Sequence, residues 1–344
     1  MKALLLSQYR HLELTDLATP APGRGEILVH VAACGICGSD VHGYDGSTGR
    51  RIPPLVMGHE AAGVVACIGE NVEGFNKGDR VTFDSTVYCG ECDNCCSGNI
   101  NLCDRREVLG VSCGDYRRAG AFAEYVVVPA RIAHRLPAAL SFEEAALLEA
   151  VAVALHAVSL VRIAPKSTAL VVGAGTIGLL VQQALRAAGC SRVFVADVDP
   201  TRLSLSKKLG ATDTFSQDVP QQIAGLTNGV GVDVAVEAVG TTDPIATAID
   251  SVRKGGSVVL VGNVSPTVTI PLQKVVSRQI RLQGSCASSG EYPRAIELMS
   301  TAQINVKPLI SAVAPLADGP QWFERLYARE PNLMKVVLTP GNGS

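Results

Sequence analysis

A glycine pattern in the middle of the chain limits its possible folds more than any other feature. Gly173, Gly175 and Gly178 directly follow a short apolar run, Ala169 to Val172, and open a helical pattern that extends to about Ala188. The first glycine permits a tight turn, the second lets a pyrophosphate approach the backbone, and the third allows the helix to pack closely on the strand. The pattern predicts a parallel sheet that binds a dinucleotide.

The residues around these glycines indicate which dinucleotide is bound. Thr176 and Ile177 begin the predicted helix, whose amide groups and partial positive charge favour phosphates. Asp197 ends the next predicted strand, where a carboxylate can accept hydrogen bonds from an adenosine ribose and repels a 2′-phosphate. This favours NAD over NADP, although the positive charge of Arg202 works against that preference.

Strand-like and helical segments then alternate to the end of the predicted sheet. The expected segments are strands at 192–196, 233–236, 257–261 and 280–284, with a helix at 200–209. This alternation indicates a doubly wound α/β sheet with buried strands. Before Ser141 the chain has short strand-like runs separated by Gly and Pro, which are typical of a β-rich domain.

Cysteines cluster in the first third of the chain, where nine of the eleven lie between Cys34 and Cys113. Four of them share one 15-residue loop at tetrahedral-zinc spacing: Cys89, Cys92, Cys95 and Cys103. Four thiolates leave no open position for a substrate, so they predict a structural zinc. Cys96 is an additional thiol beside the set, and it leaves the choice of ligands slightly ambiguous.

A second, dispersed set contains the ligand types of a catalytic zinc. Cys37, His59 and the adjacent Glu60 lie in the first domain, and Glu149 interrupts an otherwise apolar helical stretch at 145–161. A buried charge there is costly unless it is paired or binds metal. Cysteine, histidine and a carboxylate with one open position form such a site. The sequence does not rank the two glutamates.

Composition excludes several classes of protein and partner. The chain is 47% apolar and 18% charged, with 30 basic and 32 acidic residues, which argues against disorder and against a nucleic-acid or anionic-membrane surface. The N-terminus has no long apolar run typical of a signal peptide, and the longest uncharged window, 167–185, contains glycines and glutamines. We therefore expect a cytoplasmic protein without nucleic-acid or membrane partners.

These motifs together resemble the zinc-dependent medium-chain dehydrogenase/reductase family over essentially the whole chain. The matching segments are 37–42, 58–63, 78–81, 89–103, 173–178 and 335–338. The resemblance implies a GroES-like β-rich catalytic domain at 1–150 and 285–344, with a structural zinc lobe at 89–103. It also implies a Rossmann domain at 151–284 that binds NAD. Glu149 stands where alcohol dehydrogenases of the family commonly have cysteine, which resembles the polyol-dehydrogenase branch.

The resemblance also implies roles for individual residues. Cys37, His59 and either Glu60 or Glu149 match the catalytic zinc ligands, and Ser39 and His42 match the proton relay. Further positions match residues near the cofactor's ribose, nicotinamide or pyrophosphate: Val239, Val261, Gly262, Asn263, Ser285 and Lys335. The implied reaction is reversible oxidation of a secondary alcohol to a ketone. Zinc stabilises the alkoxide, Ser39 accepts the proton, His42 delivers it to solvent and NAD accepts hydride.

The resemblance leaves the substrate open. Sorbitol dehydrogenases of this branch carry an Arg-Tyr pair where this chain has Ala287 and Ser288, which argues against sorbitol itself. A phosphorylated polyol of the galactitol-phosphate type is an alternative, because arginine side chains can bind its phosphate, although solvated surface charge is the favoured interpretation. The candidate arginines are Arg50, Arg51, Arg117 and Arg118. L-Threonine and butanediol are further candidates.

Two other classes of protein compete with an enzyme. A zinc-ribbon interaction module is disfavoured by the near-neutral charge. A nonredox zinc- and NAD-binding regulatory protein is disfavoured because Cys37, His59, Ser39 and His42 are all present. Members of the family are usually dimers or tetramers, so the resemblance implies a homo-oligomer. It also implies two zinc ions per chain, one catalytic and one structural.

Overall fold

The computed structural model describes residues 1–113 and 116–341 and divides the chain into two units. The first unit comprises residues 1–149, 292–300 and 309–344, and the second comprises residues 150–291 and 301–308. The second unit begins one residue before the predicted Rossmann domain, ends seven residues after it, and also contains residues 301–308, which the resemblance placed in the catalytic domain. No helix among the described residues is long and apolar enough to cross a membrane.

The first unit contains short strands and short helices. Its strands are β1 (Lys2–Gln8), β2 (His11–Asp16), β3 (Glu26–Gly35), β4 (Leu55–Val56), β5 (Glu60–Ile68), β6 (Arg80–Phe83), β7 (Thr86–Val87), β8 (Glu107–Val108), β9 (Ser112–Cys113), β10 (Tyr116–Arg117), β11 (Tyr125–Pro129) and β12 (Ala133–Arg135). Its helices up to residue 149 are α1 (Gly38–Gly43), α2 (Asp93–Cys96), α3 (Phe142–Ala145) and the start of α4 (Leu148–Ser159).

The second unit is a parallel α/β sheet. Its strands are β13 (Thr168–Val172), β14 (Arg192–Ala196), β15 (Asp213–Phe215), β16 (Val232–Glu237), β17 (Val252–Leu260) and β18 (Arg281–Gly284). The helices are the rest of α4, then α5 (Thr176–Ala187), α6 (Pro200–Lys208), α7 (Val219–Leu226), α8 (Thr242–Ser251) and α9 (Leu272–Ser277). All five strand pairs are parallel, in the order β15-β14-β13-β16-β17-β18.

This strand order is the Rossmann order 3-2-1-4-5-6, which confirms the predicted doubly wound sheet. The central strands β13, β14 and β16 are almost fully buried, and their Val- and Ala-rich sequences reflect burial on both faces. The carboxyl ends of the parallel strands lie at one edge, where the dinucleotide signature begins after β13.

The end of the chain returns to the first unit. It forms α10 (Tyr292–Ser300), β19 (Ile310–Pro315), α11 (Gly319–Tyr327) and β20 (Lys335–Thr339). β20 pairs antiparallel with β3 and parallel with β19, which extends the seven-stranded sheet built on β12, β6, β5 and β3, with β11 also on β3. The tail therefore supplies core strands and places Lys335 beside β3.

The helical stretch predicted at 145–161 is mostly one helix, α4, which begins at Leu148 and ends at Ser159; Ala145 belongs to the separate helix α3. Ser141 caps α3: its hydroxyl accepts from the Glu144 amide, and the Glu144 carboxylate accepts from the Ser141 amide. The second helix then begins at Leu148. Glu149 therefore lies in the first turn of α4, where the helix dipole favours a carboxylate, and not in a helix interior.

Candidate active site and zinc centres

Four cysteines of the 89–103 loop converge in the first unit. One ligand atom from each of Cys89, Cys92, Cys95 and Cys103 lies within 4.8 Å of the other three. Ligands 2.3 Å from a tetrahedral zinc lie about 3.8 Å apart, so this arrangement fits a four-thiolate ion. Cys96 lies outside the group, exposed, with its thiol directed at the Glu91 carbonyl 3.6 Å away.

Backbone amides donate hydrogen bonds to two of these four sulfurs, those of Cys89 and Cys103. The Cys89 sulfur accepts from the amides of Glu91 at 3.5 Å and Cys92 at 3.4 Å, while Cys103 Sγ accepts from the Cys89 amide at 3.3 Å. The Glu91 amide is the main cause that lowers the pKa of Cys89, to about 6. A lowered thiol pKa favours the thiolate, which is the form that binds metal.

A second group of metal-binding side chains lies at the start of β5 and of α1. One ligand atom each from Cys37, His59 and Glu60 lies within 4.8 Å of the other two, and His59 and Glu60 are buried. Glu149 is not in this group. Burial raises the pKa of Glu149 to about 7, with the nearby Glu60 carboxylate also raising it and His59 opposing.

Glu60 is held by a lysine from the far end of the chain. Lys335 Nζ lies 2.8 and 2.6 Å from the two oxygens of Glu60 and also donates to the Ile36 carbonyl at 3.1 Å. The Lys335 side chain is only 3% exposed. These three acceptors match the three hydrogens of the Lys335 ammonium. The place near a cofactor pyrophosphate that the resemblance implies for Lys335 stays a prediction.

His59 is oriented by a carboxylate that the sequence interpretation gave no role. Asp40 Oδ1 lies 3.4 Å from His59 Nδ1, and Nδ1 has no hydrogen-bond partner within the described ranges. Burial opposes ionisation of both groups, but their mutual attraction holds the pKa of His59 well above and that of Asp40 well below its usual range. A carboxylate behind a histidine ligand is the usual support of a zinc site. The donor set and this support therefore fit zinc.

Ser39 and His42, the expected relay residues, both lie on α1. Ser39 Oγ lies 3.3 Å from Cys37 Sγ, so its hydroxyl is beside the metal-binding group. His42 is exposed and lines a cavity of about 420 Å³ together with Asp45, Tyr327 and other residues of the first unit. An exposed imidazole can exchange protons with solvent, as a relay terminus requires.

In the second unit, the dinucleotide signature has the geometry that its glycines predict. Gly173 has a φ of +100°, and a Cβ there would lie 2.6 Å from Val239 Cγ2. A Cβ on Gly178 would lie 1.7 Å from the Gly173 carbonyl oxygen, whereas one on Gly175 would have no atom within 4 Å. Gly175 is the N-cap of α5, and Thr176 and Ile177 begin that helix.

Asp197 directly follows β14, the strand that pairs with β13. Its carboxylate accepts from the Ala174 amide at 2.6 Å and the Asp199 amide at 2.9 Å, which anchors it beside the glycine turn. Each of its oxygens keeps a lone pair for a further donor. Arg202 lies 3.5 Å from Asp199 and 4.0 Å from Asp197, so its charge is partly neutralised.

Loops after β16 and β17 form the neighbouring part of this sheet edge. Glu237 Oε1 accepts from the amides of Val239 and Gly240, both at 2.8 Å, and the Glu237 carbonyl accepts from Val261 and Gly262. A Cβ on Gly262 would lie 2.1 Å from the Gly240 nitrogen, so the two loops are in direct contact.

Asn263 and Ser285, the other positions implied by the resemblance, follow the ends of β17 and β18. The Ser285 hydroxyl is buried and lacks a hydrogen-bond partner among the described residues. The suggested cofactor positions therefore line one edge of the Rossmann sheet, with the exception of Lys335 in the first unit. The sequence interpretation did not include Glu237. Its position at the end of an apolar strand was the feature that could have identified it.

The structure corrects the suggestion that four arginines could bind an anion or lie in solvent. Arg51 is 3% exposed and its guanidinium is bound to Asp40. Arg118 pairs with Glu26 at 2.6 Å and Glu107 at 2.8 Å. These two guanidinium groups already have carboxylate partners because carboxylates from separate segments pack against them. Arg50 and Arg117 are exposed.

Comparison with known proteins identifies the class to which this fold and these sites belong. The family model described as the alcohol dehydrogenase GroES-like domain matches residues 23–138, and the model described as zinc-binding dehydrogenase matches residues 176–301. The chain belongs to the zinc-dependent medium-chain dehydrogenase family, as its sequence resemblance indicated, and its polyol-dehydrogenase relatives place it in that branch. It is therefore an oxidoreductase.

Individual relatives are similar over nearly their whole length. Sorbitol dehydrogenase of Bacillus subtilis (strain 168) is 34% identical, covering 99% of this chain and 97% of the relative. A zinc-binding dehydrogenase of Sinorhizobium meliloti 1021 bound to NADP has a TM-score of 0.90 and 33% identity, covering 98% and 99%. Galactitol-1-phosphate dehydrogenase of Escherichia coli has a TM-score of 0.91 and 26% identity, covering 99% and 100%.

Proposed function

We propose that this dehydrogenase reversibly oxidises a secondary alcohol of a polyol to a ketone, with NAD as the hydride acceptor. The observation that carries the proposal is the convergence of Cys37, His59 and Glu60 within 4.8 Å, with the Ser39 hydroxyl 3.3 Å from the cysteine sulfur. A metal-binding group beside a proton acceptor is what alcohol oxidation requires. The polyol-oxidising relatives support the substrate class.

Zinc, when bound by Cys37, His59 and Glu60, supplies a Lewis acid for the substrate oxygen, and NAD supplies the hydride acceptor. The chain's own residues do the rest. Asp40 orients the His59 ring, and Lys335 holds the Glu60 carboxylate in place. Glu149 remains an alternative carboxylate ligand, because exchange between two nearby glutamates leaves the donor chemistry unchanged.

Ser39 accepts the alcohol proton in this scheme, and His42 releases a proton to solvent. The overall change is balanced: alcohol and NAD⁺ give ketone, NADH and one proton. Imidazole suits the last transfer because its ordinary pKa lies near neutral pH. We further propose that Cys89, Cys92, Cys95 and Cys103 hold a second, structural zinc, which gives two ions per chain.

The preference for NAD is supported by the Asp197 carboxylate at the end of β14. Its negative charge would lie beside a 2′-phosphate and would repel it, whereas ribose hydroxyls could donate to its free lone pairs. Arg202 weakens this repulsion only in part, because its guanidinium is shared with Asp199. The NADP in the Sinorhizobium meliloti relative makes this preference a point to measure directly.

A phosphorylated polyol is the second candidate substrate, and the likeness to galactitol-1-phosphate dehydrogenase favours it. Of the four arginines considered for its phosphate, Arg50 and Arg117 are exposed and available. Free polyols remain the first candidate, because Arg51 and Arg118 already have carboxylate partners. We also propose a cytoplasmic homo-oligomer, either a dimer or a tetramer, whose size can be measured by sedimentation.

The test is a screen of NAD and NADP reduction across free polyols, phosphorylated polyols, L-threonine and simple diols, with metal content measured in parallel. We expect NADH formation with at least one polyol and two zinc ions per chain. Absence of turnover with every alcohol would contradict the proposed function. Preference for a phosphorylated substrate over its free polyol would select the second candidate.

A further inference from the structure

Arg51 is a buried guanidinium in direct contact with two residues of the candidate active site. Its Nε and Nη2 donate to Asp40 Oδ1 at 3.1 and 2.8 Å, and Nη2 also donates to Ser39 Oγ at 3.1 Å. The Arg51 side chain is 3% exposed and that of Asp40 is fully buried. Hydrogen bonds between ions in a buried setting are strong and directional.

Asp40 extends this contact to two of the metal-binding residues. Its Oδ2 accepts from the Cys37 amide at 3.3 Å, and its Oδ1 lies 3.4 Å from His59 Nδ1. The carboxylate therefore touches the backbone of one ligand residue and the ring of the other. Arg51 fixes the oxygen that faces His59, since both of its hydrogen bonds to Asp40 go to Oδ1.

The contact with Ser39 restricts how that hydroxyl can exchange protons. A serine hydroxyl has one hydrogen and two acceptor lone pairs, and a guanidinium can only donate. Arg51 therefore takes one lone pair of Ser39 Oγ, and the hydroxyl hydrogen lies toward Cys37 Sγ at 3.3 Å. One lone pair remains to accept a proton from an alcohol while the serine's own proton turns away from Cys37 and passes to solvent, by way of His42 in the proposed scheme. The fixed positive charge of Arg51 stabilises the partial negative charge on Oγ during this transfer.

The backbone around Arg51 leaves room for its stem. A Cβ on Gly43, the last residue of α1, would lie 2.3 Å from Arg51 Cγ and 3.2 Å from its Cβ. Any side chain at position 43 would therefore displace Arg51 from Asp40 and Ser39. The end of α1 and the arginine fit each other closely.

We propose that Arg51 is a positioning residue that holds the metal ligands and the proton acceptor in one fixed arrangement, through Asp40 on one side and the Ser39 hydroxyl on the other. This inference rests on the proposed function, because it assigns a role in alcohol oxidation. A buried ion pair that only stabilises the fold would touch Asp40 without needing Ser39.

The first experiment is a double-mutant cycle of Arg51→Lys with Ser39→Ala, measured by steady-state NAD reduction with the preferred alcohol. Lysine keeps the charge, but its compact ammonium cannot reproduce the planar fork that reaches both partners. We expect Arg51→Lys to lower kcat about 10- to 100-fold, with KM changed less than about threefold. In the Ser39→Ala background the same change should lower kcat by a clearly smaller factor, because only the contact with Asp40 is then left to lose. Equal losses in both backgrounds would overturn the proposal.

The second experiment does not depend on turnover. The rate of zinc release to a chromogenic chelator is measured for wild type, Arg51→Lys and Arg51→Met. The two proposed zinc ions should leave in separate kinetic phases. The phase that is missing in Cys37→Ser belongs to the catalytic site. We expect about tenfold faster release from that phase in both Arg51 variants, because groups behind metal ligands tune metal affinity by about this much. Arg50→Met, an exposed neighbouring arginine, is the matched control and should release zinc at the wild-type rate.

The two experiments separate the failure of each proposal. If the wild-type protein fails to reduce NAD with every alcohol tested, the proposed function is refuted. The zinc-release rates still decide whether Arg51 holds the ligand residues. An active wild type with unchanged zinc release in both Arg51 variants refutes the positioning role. Melting curves identify any variant that fails to fold. If Arg51→Met fails to fold, the comparison of zinc-release rates uses Arg51→Lys alone.

Discussion

Two glycines of the dinucleotide signature, only three residues apart, are expected to respond to alanine in opposite ways. A methyl group on Gly178 would lie 1.7 Å from the Gly173 carbonyl oxygen, whereas Cβ contacts below 3.0 Å are essentially never observed. The start of α5 must then move by more than 1 Å away from the turn after β13. A methyl group on Gly175 meets no atom within 4 Å, and the extended backbone there (φ −72°, ψ −174°) accepts alanine.

The expected stability changes follow from this difference. Overpacking that forces backbone shifts costs up to about 3 kcal/mol, and the upper end applies here because the clash is with backbone. For a unit of about 150 residues, that corresponds to a fall in Tm of roughly 6–12 °C for Gly178→Ala. In Gly175→Ala, a gain of about 0.4–1 kcal/mol from a less flexible unfolded chain offsets a weaker helix cap, so Tm should change by less than about 2 °C.

Cofactor affinity should be reduced more by Gly175→Ala than by Gly178→Ala, the reverse of the order for stability. If the open side of Gly175 is where a pyrophosphate approaches, the Gly175→Ala methyl group should weaken NADH binding at least about tenfold, which is about 1.4 kcal/mol. The assays are calorimetric melting and a titration of NADH fluorescence below the melting transition. The reasoning is refuted if Gly178→Ala melts within about 2 °C of wild type, or if Gly175→Ala is the less stable variant.

Four further predictions concern the metal sites, the cofactor and the buried lysine. Cys37→Ser should lose NADH production and one zinc per chain with an unchanged circular dichroism spectrum; retained turnover would exclude Cys37 as a ligand. Cys103→Ser should lose the other zinc and melt earlier, and a full complement of two ions would contradict the four-thiolate site. Asp197→Ala should lower the NAD-to-NADP ratio of kcat/KM at least about tenfold, and an unchanged ratio would argue against the ribose contact. In protein stripped of zinc, Lys335→Met should lower the unfolding free energy by about 3–5 kcal/mol, because it leaves the buried Glu60 charge uncompensated, whereas Lys335→Arg should keep most of the wild-type stability.

The Rossmann unit was largely predictable from sequence because its signals are local. Apolar runs, a glycine-rich turn and helical periodicity each occupy fewer than about 15 consecutive residues, and chain geometry alone converts them into strands and helices. The predicted strands at 192–196 and 233–236 lie within one residue of the observed β14 and β16. The start of the helix predicted at 145–161 was placed three residues too early, because the break before Leu148 leaves no mark in an apolar sequence.

The four-cysteine loop was predictable for the same reason. Its ligand spacing restricts which thiols can reach one ion, so convergence of Cys89, Cys92, Cys95 and Cys103 follows from the loop itself. The second metal-binding group was accessible only through resemblance, because its cysteine and histidine are 22 residues apart. The fold brings them together by placing the end of β3 beside the start of β5.

The family, the order of the Rossmann strands along the chain and the chemical types of the candidate ligands can be inferred from the residues alone. Which partner each charged group has depends on the folded chain. Lys335 reaches Glu60 across 275 positions because β20 pairs with β3, and Arg51 turns inward because Asp40 and Ser39 present acceptors where Gly43 leaves space. The physical reason is that buried charges must be paired, and the available partner depends on how distant segments pack.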